Sequence, residues 1–250
     1  MHLTVLSAPR WAAQLKTEKP VNTGSAIAAV RPKAWLSEKI WNERGLRPEI
    51  SRALKQIAKK FLSELEIDLD VKDIIFTGSY AGRTWGPGSD LDLHIIVDFD
   101  KLKEPEAAKK ACRLAKFKWS EDHDIEIYNI PVEVYIEALD EDPPEATGRW
   151  SLKTGKWVLE PPTDGPSYDE SKVISKVKDF RQVLQRAEQA QEEGPILAAI
   201  KRITKLRRAG LKRGGELSTE NLAFRILRRT GEIDAAWEMI HNLIDKKLSI

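Results

Sequence analysis

The stretch IFTGSYAGRTWGPGSDLDLHIIVD, residues 75–98, decides the fold. An apolar strand runs into Gly78-Ser79, ten residues intervene, and a second apolar strand opens with Asp90-Leu91-Asp92. Side chains alternate faces along a strand, so Asp90 and Asp92 project together while Leu91 and Leu93 project oppositely. Two neighbouring carboxylates repel each other, and a chain that holds them together implies a compensating cation. Magnesium is the natural partner, a hard oxygen-seeking ion that shares its shell with substrate phosphates. The Gly78-Ser79 turn is expected to end its strand and start a helix, offering backbone N–H groups and a hydroxyl to phosphate. A phosphate cradle beside a metal-binding pair implies nucleotide chemistry.

With those residues in place the chain resembles the polymerase-β-like nucleotidyltransferase superfamily. Its signature is an apolar strand, Gly-Ser, a gap of about ten residues and Asp-x-Asp in a second strand, with a third acidic residue on a later strand. Residues 46–140 carry this resemblance. The stretch GSYAGRTWGPGSDLDL also looks like the active-site turn of archaeal-type CCA-adding enzymes, although the chain is too short to match one throughout. Uncharacterised nucleotidyltransferase-like proteins of phages are similar over more of it, through Ser151-Leu152, Lys156-Trp157 and a basic helical tail. The resemblance implies that Asp90 and Asp92 hold two Mg²⁺ ions, or Mn²⁺ in their place, of the kind that clamp attacking and leaving oxygens from roughly 3.5–4 Å apart. It implies that Gly78 and Ser79 bind the triphosphate of an NTP, with Arg83 and Ser89 assisting from the same loop. The expected third ligand is Glu133, in IPVEVYI and 41 residues after Asp92; the superfamily more often has Asp there. Glu126 competes for that role, and Glu137 shares the Glu133 face. His94 lies on the face of the two aspartates, where a lone histidine is more often a hydrogen-bonded packing residue than a ligand.

The composition agrees with a globular protein: 250 residues, 41% hydrophobic, 32% charged, net charge +2. A single cysteine, Cys112, excludes an internal disulfide and fits reducing, cytoplasmic surroundings. No apolar run approaches the roughly 18 residues of a membrane span. No Walker A loop, Ser-His-Asp set or dinucleotide-binding glycine fingerprint is present. The small net charge hides an asymmetry. Between Ile196 and Thr230 ten Lys/Arg face two glutamates, whereas Glu121–Glu145 holds ten acidic residues and no basic one. Lys201, Lys205 and Arg208 repeat at four and three, one helical stripe suited to a phosphate backbone. Glu216, Asn221 and Arg225 face either a base or only each other.

Punctuation and periodicity predict an irregular arm over residues 1–45 and a helix from Pro48 to about Leu65. Strands are expected at Asp73–Thr77 and Leu91–Asp98, and a helix at Glu104–Lys118. A hairpin of Asp124–Asn129 and Val132–Ala138 is expected to turn through Ile130-Pro131, and a second pairs Trp150–Leu152 with Trp157–Leu159. EPPTDG, Glu160–Gly165, reads as a linker. Helices then fill Ser171–Gln191, Pro195–Lys212, Ser218–Thr230 and Ile233–Leu248, with Ser218 an N-cap. The expected fold is α+β: a nucleotidyltransferase-type mixed-sheet domain over 46–165, then an all-α domain over 166–250. The implied activity is metal-dependent transfer of NMP from an NTP to an acceptor hydroxyl with release of pyrophosphate. RNA, particularly a tRNA 3′ end, is the expected acceptor, with no membrane partner. A small molecule or protein acceptor is the alternative, as is a non-catalytic module that keeps the fold to bind nucleic acid.

Overall fold

The computed structural model describes residues 22–65, 67–141, 148–161 and 168–249. The described residues divide into two compact units, one within 31–165 and the other within 1–30 and 166–250. The first unit is built on a six-stranded mixed sheet in the order β5-β6-β4-β3-β7-β8. Its strands are β3 (Val71–Thr77), β4 (Leu91–Val97), β5 (Glu126–Ile127), β6 (Ile130–Ala138), β7 (Arg149–Ser151) and β8 (Lys156–Leu159). A small ribbon, β1 (Trp41–Asn42) with β2 (Gly45–Leu46), precedes it. Strands β4 and β6 run parallel and their neighbours antiparallel. A parallel pair needs a crossover, and α3 (Pro105–Asp122) supplies it. The β5–β6 hairpin turns through Tyr128 and Asn129, both at positive φ (54° and 60°), rather than through Ile130-Pro131, which belong to β6. A tyrosine in that conformation gives no turn signal in the sequence.

One face of the sheet is the core. Leu91, Leu93, Ile95 and Val97 are fully buried there, joined by Phe76 and Val134. Against them pack Ile50, Leu54, Ala58 and Phe61 of α2 (Pro48–Glu64), together with Cys112 and Trp119 of α3. Each such aliphatic side chain contributes about 1.5–3 kcal/mol by leaving water. The opposite face is polar: Asp92 and His94 on β4 stand beside Glu133, Tyr135 and Glu137 on β6. There His94 Nδ1 lies 2.5 Å from Glu137 Oε2, and Arg149 donates to the same carboxylate at 2.7 Å and 3.3 Å.

The second unit is helical: α1 (Thr23–Val30), α4 (Glu170–Gln189), α5 (Glu193–Gly214), α6 (Thr219–Arg229) and α7 (Glu232–Leu248). Its core includes Phe180, Ile196, Ile203, Leu222, Leu227 and Ile240, and Ala26 and Val30 of α1 are buried in it. The arm expected over 1–45 is therefore divided, with α1 in the helical unit and residues 31–45 in the sheet unit. Its first 21 residues, and most of the expected linker Glu160–Gly165, lie outside the described residues. Ser218 occupies the N-cap position of α6, but its hydroxyl makes no cap hydrogen bond. Among the described residues no helix is long and apolar enough to cross a membrane.

Burial pushes the Glu137 carboxyl upward, but hydrogen bonds and charge from His94 and Arg149 outweigh it and hold the group below the usual glutamate value of 4.5. A depressed folded-state value stabilises the protein above the unfolded value and is lost as pH falls through the folded one. Glu137→Gln strands the Arg149 guanidinium and is expected to cost about 3 kcal/mol in urea unfolding at neutral pH. That gap should narrow only as pH falls through the folded-state value, below 4.5, where the parent carboxyl is itself protonated. A gap that stays constant through acid would contradict this account.

Candidate active site

Three carboxylates meet at the end of the sheet where β4 begins. Asp90 immediately precedes β4, Asp92 is its second residue, and Glu133 sits beside Asp92 in the parallel β4–β6 register. One oxygen from each of Asp90, Asp92 and Glu133 lies within 4.8 Å of the others, and all three residues are half-buried. The structure thus brings Glu133, not Glu126, to the aspartates: Glu126 pairs with Pro131 on β5 and is exposed. Glu137, farther along β6, is taken up by Arg149 and His94.

Strand β3 ends in the Gly78-Ser79 turn, which abuts the same carboxylates. Gly78 has φ +77° and ψ −162°, a region almost reserved for glycine. A Cβ there would stand 1.7 Å from Asp92 Oδ2, so the backbone passes against the carboxylate with no room for a side chain. The helix expected to follow the turn is a single 3-10 turn, Ser79–Ala81. Among the described residues Ser79 Oγ is buried with no hydrogen-bond partner, as is Ser218 Oγ, a state uncommon for buried hydroxyls that suits a ligand-binding group. Ser89 is differently engaged: its Oγ accepts from the Gly86 N–H at 3.2 Å and closes the loop that carries it. Arg83 is half-buried in that loop, and its carbonyl accepts from the Lys33 N–H at 2.7 Å.

Tryptophans hold the turn from behind. The indole of Trp41 donates to the Tyr80 carbonyl at 2.7 Å. Its ring stacks on Trp157 at 4.5 Å and meets the edge of Trp150 at 5.4 Å. Thr77 Oγ1 donates to the Gly148 carbonyl at 2.9 Å, tying the end of β3 to the segment before β7. Several of the many tryptophans thus act as core packing and as a buttress for the turn together.

Two partners of Glu133 gave little signal in the sequence. Tyr135, two residues along β6 on the same face, donates its hydroxyl to Glu133 Oε2 in a short hydrogen bond. Burial, reinforced by the charges of Glu133, Asp92 and Asp90, pushes the phenol well above its usual value, so at neutral pH it is a donor. Lys116 reaches from α3, its Nζ 3.8 Å from Glu133 Oε2 and 3.2 Å from the centroid of the Tyr135 ring. Burial lowers the Lys116 ammonium, and attraction to Glu133, Asp92 and Asp90 works in the opposite direction. The spacing of β6 placed Tyr135 on the right face, but nothing local in α3 singled out Lys116.

The residues fit a divalent cation. Three carboxylate oxygens form a hard donor set, suited to Mg²⁺ or Mn²⁺ rather than to a softer metal. A hydrogen-bonded carboxylate is oriented as metal-site ligands usually are, and loss of such a partner typically costs 10–100-fold in affinity. Tyr135→Phe is therefore expected to weaken Mn²⁺ binding in calorimetric titration by about 10–100-fold without unfolding the protein. In a Glu133→Gln background the same change should add almost nothing, because the hydroxyl acts through that carboxylate. Full additivity of the two losses would show that Tyr135 does not act through Glu133.

The family comparison covers this site. Residues 54–146, which contain the turn and all three carboxylates, match the family described as nucleotidyltransferase domain. No curated protein matches the chain. Among solved structures, a STING-associated CdnE c-di-GMP synthase from Capnocytophaga granulosa is 13% identical, over 95% of this chain and 92% of that one, with a TM-score of 0.26. A CdnE cyclic dinucleotide synthase from Elizabethkingia meningoseptica, solved with GTP and Apcpp, is 16% identical over 90% of this chain and 83% of that one, with a TM-score of 0.24. With the glycine–serine turn and the acidic cluster both inside the matched stretch, residues 54–146 resemble a nucleotidyltransferase domain of the polymerase-β-like superfamily.

Proposed function

We propose that the chain is a metal-dependent nucleotidyltransferase that moves NMP from an NTP to an acceptor hydroxyl of RNA. One observation carries the catalytic part: the Gly78 backbone lies against Asp92 while oxygens of Asp90, Asp92 and Glu133 gather within 4.8 Å. That juxtaposition suits a triphosphate on the turn and divalent cations on the carboxylates. Asp90, Asp92 and Glu133 are the proposed ligands of Mg²⁺ or Mn²⁺. When bound, the ions supply charge neutralisation at the phosphates and a lower pKa for the attacking hydroxyl. Ser79, with its buried unpartnered hydroxyl, is the proposed phosphate donor, with Arg83 and Ser89 as candidate helpers from the loop. Arg83 suits a triphosphate because its forked guanidinium is always charged. The hydroxyl of Ser89 already serves its own loop, which favours a supporting role for that residue. In the transfer the acceptor oxygen bonds to the α-phosphorus as the bond to the bridging oxygen breaks. Pyrophosphate leaves with the electron pair, and the hydroxyl proton passes to water. RNA as the acceptor is supported by the basic run of the helical unit.

The test is incorporation of label from each α-labelled NTP, with Mg²⁺ or Mn²⁺, resolved into RNA, protein and small soluble products. Label in RNA is expected, and it should fall by more than about 100-fold in Asp90→Ala/Asp92→Ala protein, since loss of a mere orienting partner already costs 10–100-fold. Metal-dependent label in protein or in a small soluble product would overturn the RNA acceptor and keep the transferase. No incorporation into any pool would overturn the transferase itself.

A further inference from the structure

Eight of the ten cations between Ile196 and Thr230 fall into two groups once folded. One group serves the fold. Arg207 donates to Asn221 Oδ1 at 3.0 Å and lies over the Phe224 ring at 4.6 Å. Arg213 pairs with Glu220 at 2.8 Å, Arg225 faces Glu216 at 3.5 Å, and Arg229 is buried. Asn221 is itself fully buried and donates to the Glu216 carbonyl at 2.7 Å, so Glu216, Asn221 and Arg225 engage one another rather than a base. The other group does nothing for the fold. Lys201, Lys205, Arg208 and Lys212 are exposed on α5, and none has a hydrogen bond or ion pair among the described residues.

These four positions follow the i, i+4, i+7, i+11 rule, so they form one narrow stripe. It lies half a turn from Ile196, Ala199, Ile203 and Gly210, which α5 buries. At 1.5 Å per residue the stripe is about 16 Å long, with its charges about 4.5–6 Å apart. That repeat is close to the separation of successive phosphates along a strand. Beyond Glu193 the helix carries no carboxylate that would offset the stripe. Lys212 lies in the last turn, where the helix dipole alone favours a cation, so Lys201, Lys205 and Arg208 carry the argument.

We infer that this face of α5 is a docking surface for the sugar-phosphate backbone of base-paired RNA. The choice of RNA rests on the acceptor reading above. A membrane surface fits worse, because interfacial helices bury large apolar side chains and none of the exposed large hydrophobic residues lies on α5. Splayed single strands fit worse as well, since they are gripped by aromatic platforms and the stripe has none. Contacts of this kind give affinity without sequence preference.

The test is fluorescence anisotropy of a labelled RNA hairpin with the full chain in 50–200 mM KCl. Four phosphate contacts give a slope of log affinity against log salt of about −3.6. Lys201→Gln/Lys205→Gln/Arg208→Gln should reduce the slope to about −1 and weaken binding by a few hundred-fold (~8-fold per contact) at 0.1 M salt. Lys172→Gln/Lys178→Gln/Arg186→Gln, which removes three exposed cations of α4, should leave the slope unchanged. Equal losses in the two triple variants would mean that net charge alone acts, and would overturn the inference. Unchanged binding by the α5 variant overturns it too, as does tighter binding to a DNA duplex of the same sequence or to phosphatidylserine vesicles. Asp90→Ala/Asp92→Ala protein should bind as the parent does, so failure of the transfer chemistry and failure of the docking surface are told apart.

Discussion

Three carboxylates with oxygens inside 4.8 Å repel one another, and the sheet unit is organised around holding them there. A pair of full charges at that distance costs about 3 kcal/mol at an effective dielectric constant of 20. Local preference does not bear such a load. Asp92 and Glu133 face each other because β4 and β6 run parallel in one register, and that register is fixed on the opposite face by residues with no polar atoms. A slip of one residue would turn Leu91 and Leu93 outward and carry Asp92 into the core. The hydrophobic face of β4 therefore determines where the charge of the other face stands.

The repulsion is also offset within the site. Tyr135 and Lys116 both address Glu133 Oε2, one by a hydrogen bond and one as a nearby cation that also rides on the tyrosine ring. Gly78 brings backbone against Asp92 where any side chain would collide. The Trp41 indole fixes the turn through the Tyr80 carbonyl, and its ring stacks on Trp157, so the Gly78-Ser79 turn rests on an aromatic cluster. A site on a strand edge and a buttressed turn is better preorganised than one on free loops.

What was legible in the sequence was local. Gly78 and the alternation of Asp90, Leu91, Asp92 and Leu93 carry the turn and the strand face within sixteen residues, and the three-four periodicity of residues 48–65 carries α2. The mixed sheet followed by helices was legible for the same reason. What was not legible depends on distant parts of the chain. The choice between Glu133 and Glu126 turns on the β4–β6 register across a crossover helix. The place of Lys116 depends on how α3 crosses the sheet edge. The Tyr128-Asn129 turn depends on backbone angles that its residue types disguise. The basic run from Ile196 to Thr230 read as one feature until tertiary contacts divided it into cations that hold α5 and α6 together and cations that face water.

The most direct test of the central claim is a crystal structure with Mn²⁺ and a non-hydrolysable NTP, read by anomalous scattering at the manganese edge. The account predicts manganese density among the oxygens of Asp90, Asp92 and Glu133, with the triphosphate against Gly78 and Ser79. Manganese bound elsewhere, or a nucleotide seated away from the Gly78-Ser79 turn, would contradict it.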